Sequence, residues 1–339
     1  MELISIICLA LILLTTIISL IVTIVKLNKL NKEVISVISG ISSQVGGIKI
    51  PEYTPQKDTV ISKSDFIDLC YEAVRSGNNT LTLSDVILME PLSMADTASV
   101  ASTTLADSPF KLNVVFNNCK FVNMKQMFTY VPFISLTFNK CKFMGSMASM
   151  FSMSRNWENN RDVNPFLTSL VFNNCDTSEV TSLNNTFSNL AHIKSLDISC
   201  FDVSNVVDIV HCFTYCHALE TLKLPKKFVH SKITNLGGFC SSCNALKELN
   251  MSDFDTSKVT NYGYFLYPTP ALKKVDLSSF MFSNAMGDNT SKIILDEHAE
   301  EVKLNSKYAN KSNETLYIMS EDGKKKLVTR VPKDKVKTV

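Results

Sequence analysis

The chain has 339 residues, 45% of them hydrophobic and 19% charged, enough apolar content to fold over most of its length. Its formal net charge of +2 excludes a nucleic-acid binder held mainly by neutralising phosphates.

The first element is apolar. Leu3 to Val25 is a run of 23 residues without a charge. At 1.5 Å per residue, roughly 20 such residues cross a bilayer core. Glu2 makes the preceding region acidic, the run is long, and no small-residue cleavage site follows, so residues 1–26 read as a transmembrane helix rather than a signal peptide. Lys26, Lys29 and Lys32 follow the span, which by the positive-inside rule places the bulk of the chain in the cytosol.

Residues 27–59 read as a juxtamembrane segment and linker. Leu27, Leu30, Val34, Val37 and Ile41 have the 3-4-3-4 spacing of a coiled-coil seam, which makes residues 27–45 a candidate homo-oligomer contact. From Gly46 onward, Pro51 and Pro55 mark a linker.

Residues 60–111 are expected to cap the next domain. Phe66, Leu69, Cys70, Ala73 and Val74 form a helical stripe, with Ser62 as N-cap and Gly77 as the stop.

A repeat then organises residues 112–290. Leu170, Leu196, Leu222, Leu249 and Val275 fall at intervals of 26, 26, 27 and 26, each opening an apolar-x-apolar strand. A second column is Phe201, Phe228, Phe254 and Phe280, a third is Val180, Val206, Ile233 and Val259, and a fourth is Phe187, Phe213, Cys240 and Leu266. Shorter coils open at Val114 and Leu136. One coil cannot bury its apolar face alone, so stacked coils must share a core. The expected fold is a leucine-rich-repeat-like solenoid, with a parallel β-sheet on one side and short helices or turns opposite. Residues 291–339 read as a C-terminal cap and basic tail, with a hairpin from Thr315–Met319 to Lys326–Val331.

Leu249-Asn-Met-Ser-Asp-Phe-Asp-Thr-Ser-Lys-Val-Thr-Asn261 and Phe213-Thr-Tyr-Cys-His-Ala-Leu-Glu-Thr-Leu222 resemble the BspA-like leucine-rich repeats of microbial surface proteins and lipoproteins. The resemblance is good over 167–280, looser over 112–150 and absent at both ends. It implies a solenoid at the cell surface used for adhesion or contact, the opposite orientation to the one the lysines suggest, and both orientations stand. It supplies no catalytic residue.

Cys212, Cys216, Cys240 and Cys243 have a zinc-like look, but the repeat register accounts for all four as small buried hydrophobes. Cys119, Cys141 and Cys175 stand in the column that Phe201 continues, which points to apolar volume. Asp176, Asp202 and Asp255 suit Asx-type turns. No cofactor or metal is expected.

Two surfaces are candidate ligand-binding sites. One is the outward strand face, represented by Asp197, Lys223, Glu248, Asn250, Lys274 and Asp276, whose mixed signs suit a protein or glycan. The other is an insertion that carries Trp157 between Arg155 and Arg161. The leading expectation is a membrane-anchored recognition module; the alternative is a structural scaffold, such as a phage or envelope component, without a specific external ligand. No nucleophile, base and orienter set can be assembled, so no enzyme is expected.

Overall fold

A computed structural model of the protein describes residues 58–92, 111–129, 131–152, 167–226, 232–281, 293–305, 316–322, 325–330 and 332–338. Among them no helix is long and apolar enough to cross a membrane. The span at Leu3–Val25, the seam at 27–45 and the linker to residue 57 lie outside the described residues, as does the insertion with Arg155, Trp157 and Arg161.

The chain enters through strand β1 (Thr59–Ile61) and helix α1 (Lys63–Arg75). Ser62 caps the helix as the stripe predicts: its hydroxyl accepts from the Asp65 amide while the Asp65 carboxylate accepts from the Ser62 amide. Phe66, Cys70 and Ala73 turn inward, and Gly77 ends the helix at φ +70°.

Paired strands follow, two per coil: β2 (Thr80–Ser84) with β3 (Val86–Leu88), and β4 (Asn113–Asn117) with β5 (Lys120–Val122). Next come β6 (Ser135–Asn139) with β7 (Lys142–Ser146), and β8 (Ser169–Asn173) with β9 (Asp176–Ser182). Strands β2, β4, β6 and β8 form one parallel sheet; β1, β3, β5, β7 and β9 form a second. The corner between the paired strands is a left-handed residue, Asp85, Asn118, Lys140 or Asn174, with φ between 52° and 58°. Three of these are Asp or Asn, which tolerate that conformation best after glycine.

Beyond β9 the first sheet continues in shorter pieces: β10 (Ser195–Asp197), β11 (Thr221–Lys223), β12 (Glu248–Asn250) and β13 (Lys274–Leu277). The remaining strands are β14 (Ile293–Asp296), β15 (Glu301–Leu304), β16 (Leu316–Asp322), β17 (Lys325–Arg330) and β18 (Val336–Thr338). Leu196 pairs with Leu222, and Leu249 with Val275, on neighbouring parallel strands, so the repeat columns are columns in space. The ladder extends past β13 through β15 to β18. Strands β16 and β17 make the expected antiparallel hairpin.

The third side of each coil is a turn rather than a helix. Its backbone is laddered too: the amides of Phe128, Phe151, Phe187, Phe213 and Cys240 donate to the carbonyls of Met150, Thr186, Cys212, Phe239 and Phe265, at 2.8–3.0 Å. These bonds satisfy turn backbone that would otherwise be buried unpaired. The result is a repeat, solenoid-like fold of mostly parallel strands with few helices.

Like side chains stack down the interior. Phe128, Phe151, Phe187 and Phe213 lie ring on ring, 5.4–5.7 Å apart and within 6° of parallel. Phe116, Phe138 and Phe172 make a second stack at 5.2 Å. A coil rise of about 4.8 Å, the spacing of hydrogen-bonded strands, sets this repeat. After Phe213 the aromatic moves one position back, to Phe239 before Cys240 and Phe265 before Leu266, and all four stay buried. The adjacent pair keeps its volume while its members exchange places.

Candidate functional site

The outward side chains of the β2–β8 sheet and of the shorter sheets that follow it fall into two unlike halves. In the half built by β10, β11, β12, β13 and β15 the charges pair across neighbouring strands. Lys223 Nζ is 3.0 Å from Asp197 Oδ2, Lys274 Nζ is 3.2 Å from Glu248 Oε1, and Lys303 Nζ is 3.7 Å from Asp276 Oδ2. Below the strands, Glu220 meets Lys247 and Lys273 meets Glu300. Hydrogen bonds from Lys247 and Lys273 hold the carboxyls of Glu220 and Glu300 below their ordinary value.

The structure therefore brings Asp197 together with Lys223, and Glu248 with Lys274, while Asn250 stands in register with Asp276. Three of these residues also shape the strand ends. Asp197, Asn250 and Asp276 accept from the amides of Ser199, Ser252 and Ser278 through Oδ1, at 2.9–3.0 Å. The same Asx geometry occurs at Asp176, Asp202 and Asp255, as the sequence predicts. Much of the hydrogen-bonding capacity of the predicted face is thus committed within the chain.

The half built by β2, β4, β6 and β8 escaped the sequence reading. None of its outward side chains is ionisable. Asn173 Nδ2 donates to Asn139 Oδ1 at 2.8 Å, and Asn139 Nδ2 to Asn117 Oδ1 at 2.9 Å. Ser135 Oγ donates to Asn113 Oδ1 at 2.7 Å. Between these polar rows runs a middle row, Thr82, Val115, Thr137 and Val171, in strand register. The recurring S/T/N-x-V/T-x-S/N pattern of the strands is the signal that would have found it.

The ladder is interrupted between β8 and β10 and again between β11 and β12, and the halves meet at the first break. Strands β8 and β10 belong to separate sheets, and an open groove of about 600 Å3 lies between them. Thr168, Ser169, Asn173, His192, Lys194, Ser195 and Asp197 contribute its polar lining, together with Leu170 to Phe172. Its volume falls within the range typical of small-molecule sites.

Among the described cysteines all but Cys200 are interior. Cys119, Cys141 and Cys175 donate their thiols to the carbonyls of Leu83, Phe116 and Phe138 in the preceding coil, at 3.4–3.5 Å. Cys200, rather than Phe201, continues that row, with its thiol 3.7 Å from the Phe172 carbonyl. Cys216 and Cys243 donate to Phe187 and Phe213 at 3.0 and 3.1 Å. These positions therefore supply donors to backbone carbonyls as well as apolar volume. Burial pushes the thiols of Cys212, Cys216, Cys240 and Cys243 up, away from the reactive thiolate.

Residues 145–280 match a family model described as "Mycoplasma protein of unknown function, DUF285". The matched stretch is the regular part of the repeat. No curated protein matches the chain, and no solved structure does.

Proposed function

We propose that the chain is a recognition module of the BspA-like leucine-rich-repeat kind, held at a membrane through its N-terminal segment and displaying its strand face to a protein or glycan at the cell surface. One observation carries this reading: outward side chains repeat in register within successive runs of parallel strands, over a core of stacked rings. Such a surface is broad and rigid, so little conformational entropy is lost when a partner docks. The reading assigns no catalysis and no cofactor.

A structural scaffold is the second reading, favoured by the pairing of Asp197, Glu248 and Asp276 with lysines of the same face. Charges satisfied within the face recruit partners less strongly than unpaired ones.

Binding of the full-length chain to arrayed glycans and purified extracellular-matrix proteins tests the choice. A recognition module retains at least one of them, and Lys223→Glu, Lys274→Glu or Trp157→Ala weakens the capture of a protein partner. Retention of none, with the chain still assembling on membranes, favours the scaffold. Protease shaving of intact cells reports the orientation, and resistance of the solenoid to shaving would sink the surface assignment.

A further inference from the structure

We infer that the uncharged half of the strand face, running from β2 to the groove between β8 and β10, is a binding site for a neutral glycan. The inference rests on the recognition reading above and gives that reading a ligand class and a location.

The argument begins with what the surface lacks. Phosphate-bearing and other strongly anionic ligands need basic side chains, and β2, β4, β6 and β8 direct none outward. Protein partners usually anchor on Trp, Tyr or Arg, and these strands carry none of the three. What remains is a stripe of methyl groups between two rows of hydroxyls and amides. The middle row of Thr82, Val115, Thr137 and Val171 presents the methyls, and the last three are half-buried, so they form a shallow floor.

A pyranose ring has the complementary character, with C–H groups on its faces and hydroxyls around its rim. The polar rows are prepared for such a rim. A side-chain amide has two donor hydrogens and two acceptor lone pairs. Asn139 uses one donor toward Asn117 and one acceptor for Asn173. One of each is left, which suits hydroxyls that both give and accept. The ladder also fixes the amide orientation in advance, reducing the ordering cost of binding.

The groove supplies an end to the strip. There the interrupted ladder opens the β8 edge, and Thr168, Ser169 and Ser195 add hydroxyls beside Lys194, His192 and Asp197, the only ionisable side chains of the groove lining. A chain of sugars lying across the coils would finish in it.

The test is isothermal titration of the full-length chain with cellohexaose, maltohexaose and N-acetylchitohexaose, against a heparin hexasaccharide as anionic control. At least one neutral hexasaccharide is expected to bind, with heparin at least tenfold weaker. Thr137→Lys and Val171→Lys are each expected to lower the neutral affinity tenfold or more, while Lys120→Gln on the second sheet changes it less than twofold. Urea midpoints of the variants establish that they fold, and either variant alone suffices if the other does not. Binding of none of the neutral probes, equal binding by both folded variants, or tighter binding of heparin overturns the assignment. A protein partner retained on the arrays despite that failure leaves the recognition reading standing; retention of nothing on either assay overturns both.

Discussion

Asp197 and Lys223 face each other across adjacent parallel strands, 3.0 Å apart, yet they do not have equal structural weight. Lys223 is 65% exposed in its side chain, and a surface pair of this kind contributes about 0.2–1 kcal/mol. Asp197 also holds the turn after its strand, accepting from Ser199 through both the amide and the hydroxyl. Loss of such a hydrogen bond costs about 1 kcal/mol more. Asp197→Ala is therefore expected to destabilise the chain more than Lys223→Ala, by roughly that margin. Equal urea midpoints for the two variants would refute the account.

The exchange of Phe213 for Cys240 at one repeat position, with Cys212 giving way to Phe239 beside it, makes a second prediction. Cys240→Phe alone overpacks the interior, at about 1–3 kcal/mol. Phe239→Cys alone removes a ring that packs 5.1 Å from Phe213, leaving a cavity that costs about 3 kcal/mol or more. The double variant restores the arrangement of the preceding coil. Its loss is expected to fall short of the sum by about 1 kcal/mol or more, a coupling typical of touching residues. Strict additivity in denaturant unfolding would show that the two columns are independent.

These two cases mark how far the sequence is informative. The columns through Leu196, Leu222, Leu249 and Val275 are legible because a shared core admits one residue class at each coil position. The cap of α1 is legible because Ser62 and Asp65 satisfy each other locally. The pairing of Lys223 with Asp197 depends on register across 26 residues, so a face read as mixed charge proves to be largely self-neutralised. Thiol donation by Cys119 to the Leu83 carbonyl is hidden for a similar reason, since the acceptor lies a whole coil away. The uncharged face is missed because Asn, Ser and Thr are frequent everywhere in the chain, and only strand register shows that Asn117, Asn139 and Asn173 form a line.

Thiol chemistry gives a third prediction. Among the described cysteines Cys200 alone is exposed, while Cys212, Cys216, Cys240 and Cys243 are buried, their thiols pushed up chiefly by desolvation. Iodoacetamide treatment of the native chain at pH 8 should label Cys200 and spare those four, which become reactive in guanidinium. Peptide mapping by mass spectrometry reads the pattern. Rapid native labelling of Cys216 or Cys243 would mean that the coils open there.

The ion pairs make stability depend on pH with a definite sign. Hydrogen bonds from Lys247, Lys273 and Lys337 lower the carboxyls of Glu220, Glu300 and Glu301 from their ordinary value of 4.5. A carboxyl with a depressed folded-state pKa contributes stability above its unfolded value and loses it as pH falls through the folded one. Urea midpoints should therefore hold steady from neutral pH down to about 5 and decline below 4. Lys247→Met removes the partner of Glu220, so the drop between pH 7 and pH 3 should be smaller in that variant. The pairs sit at the surface, where ions screen them, so 1 M salt should shrink the difference between variant and parent. An identical decline in parent and variant at low salt would remove Glu220 from the set of groups that make the fold sensitive to acid.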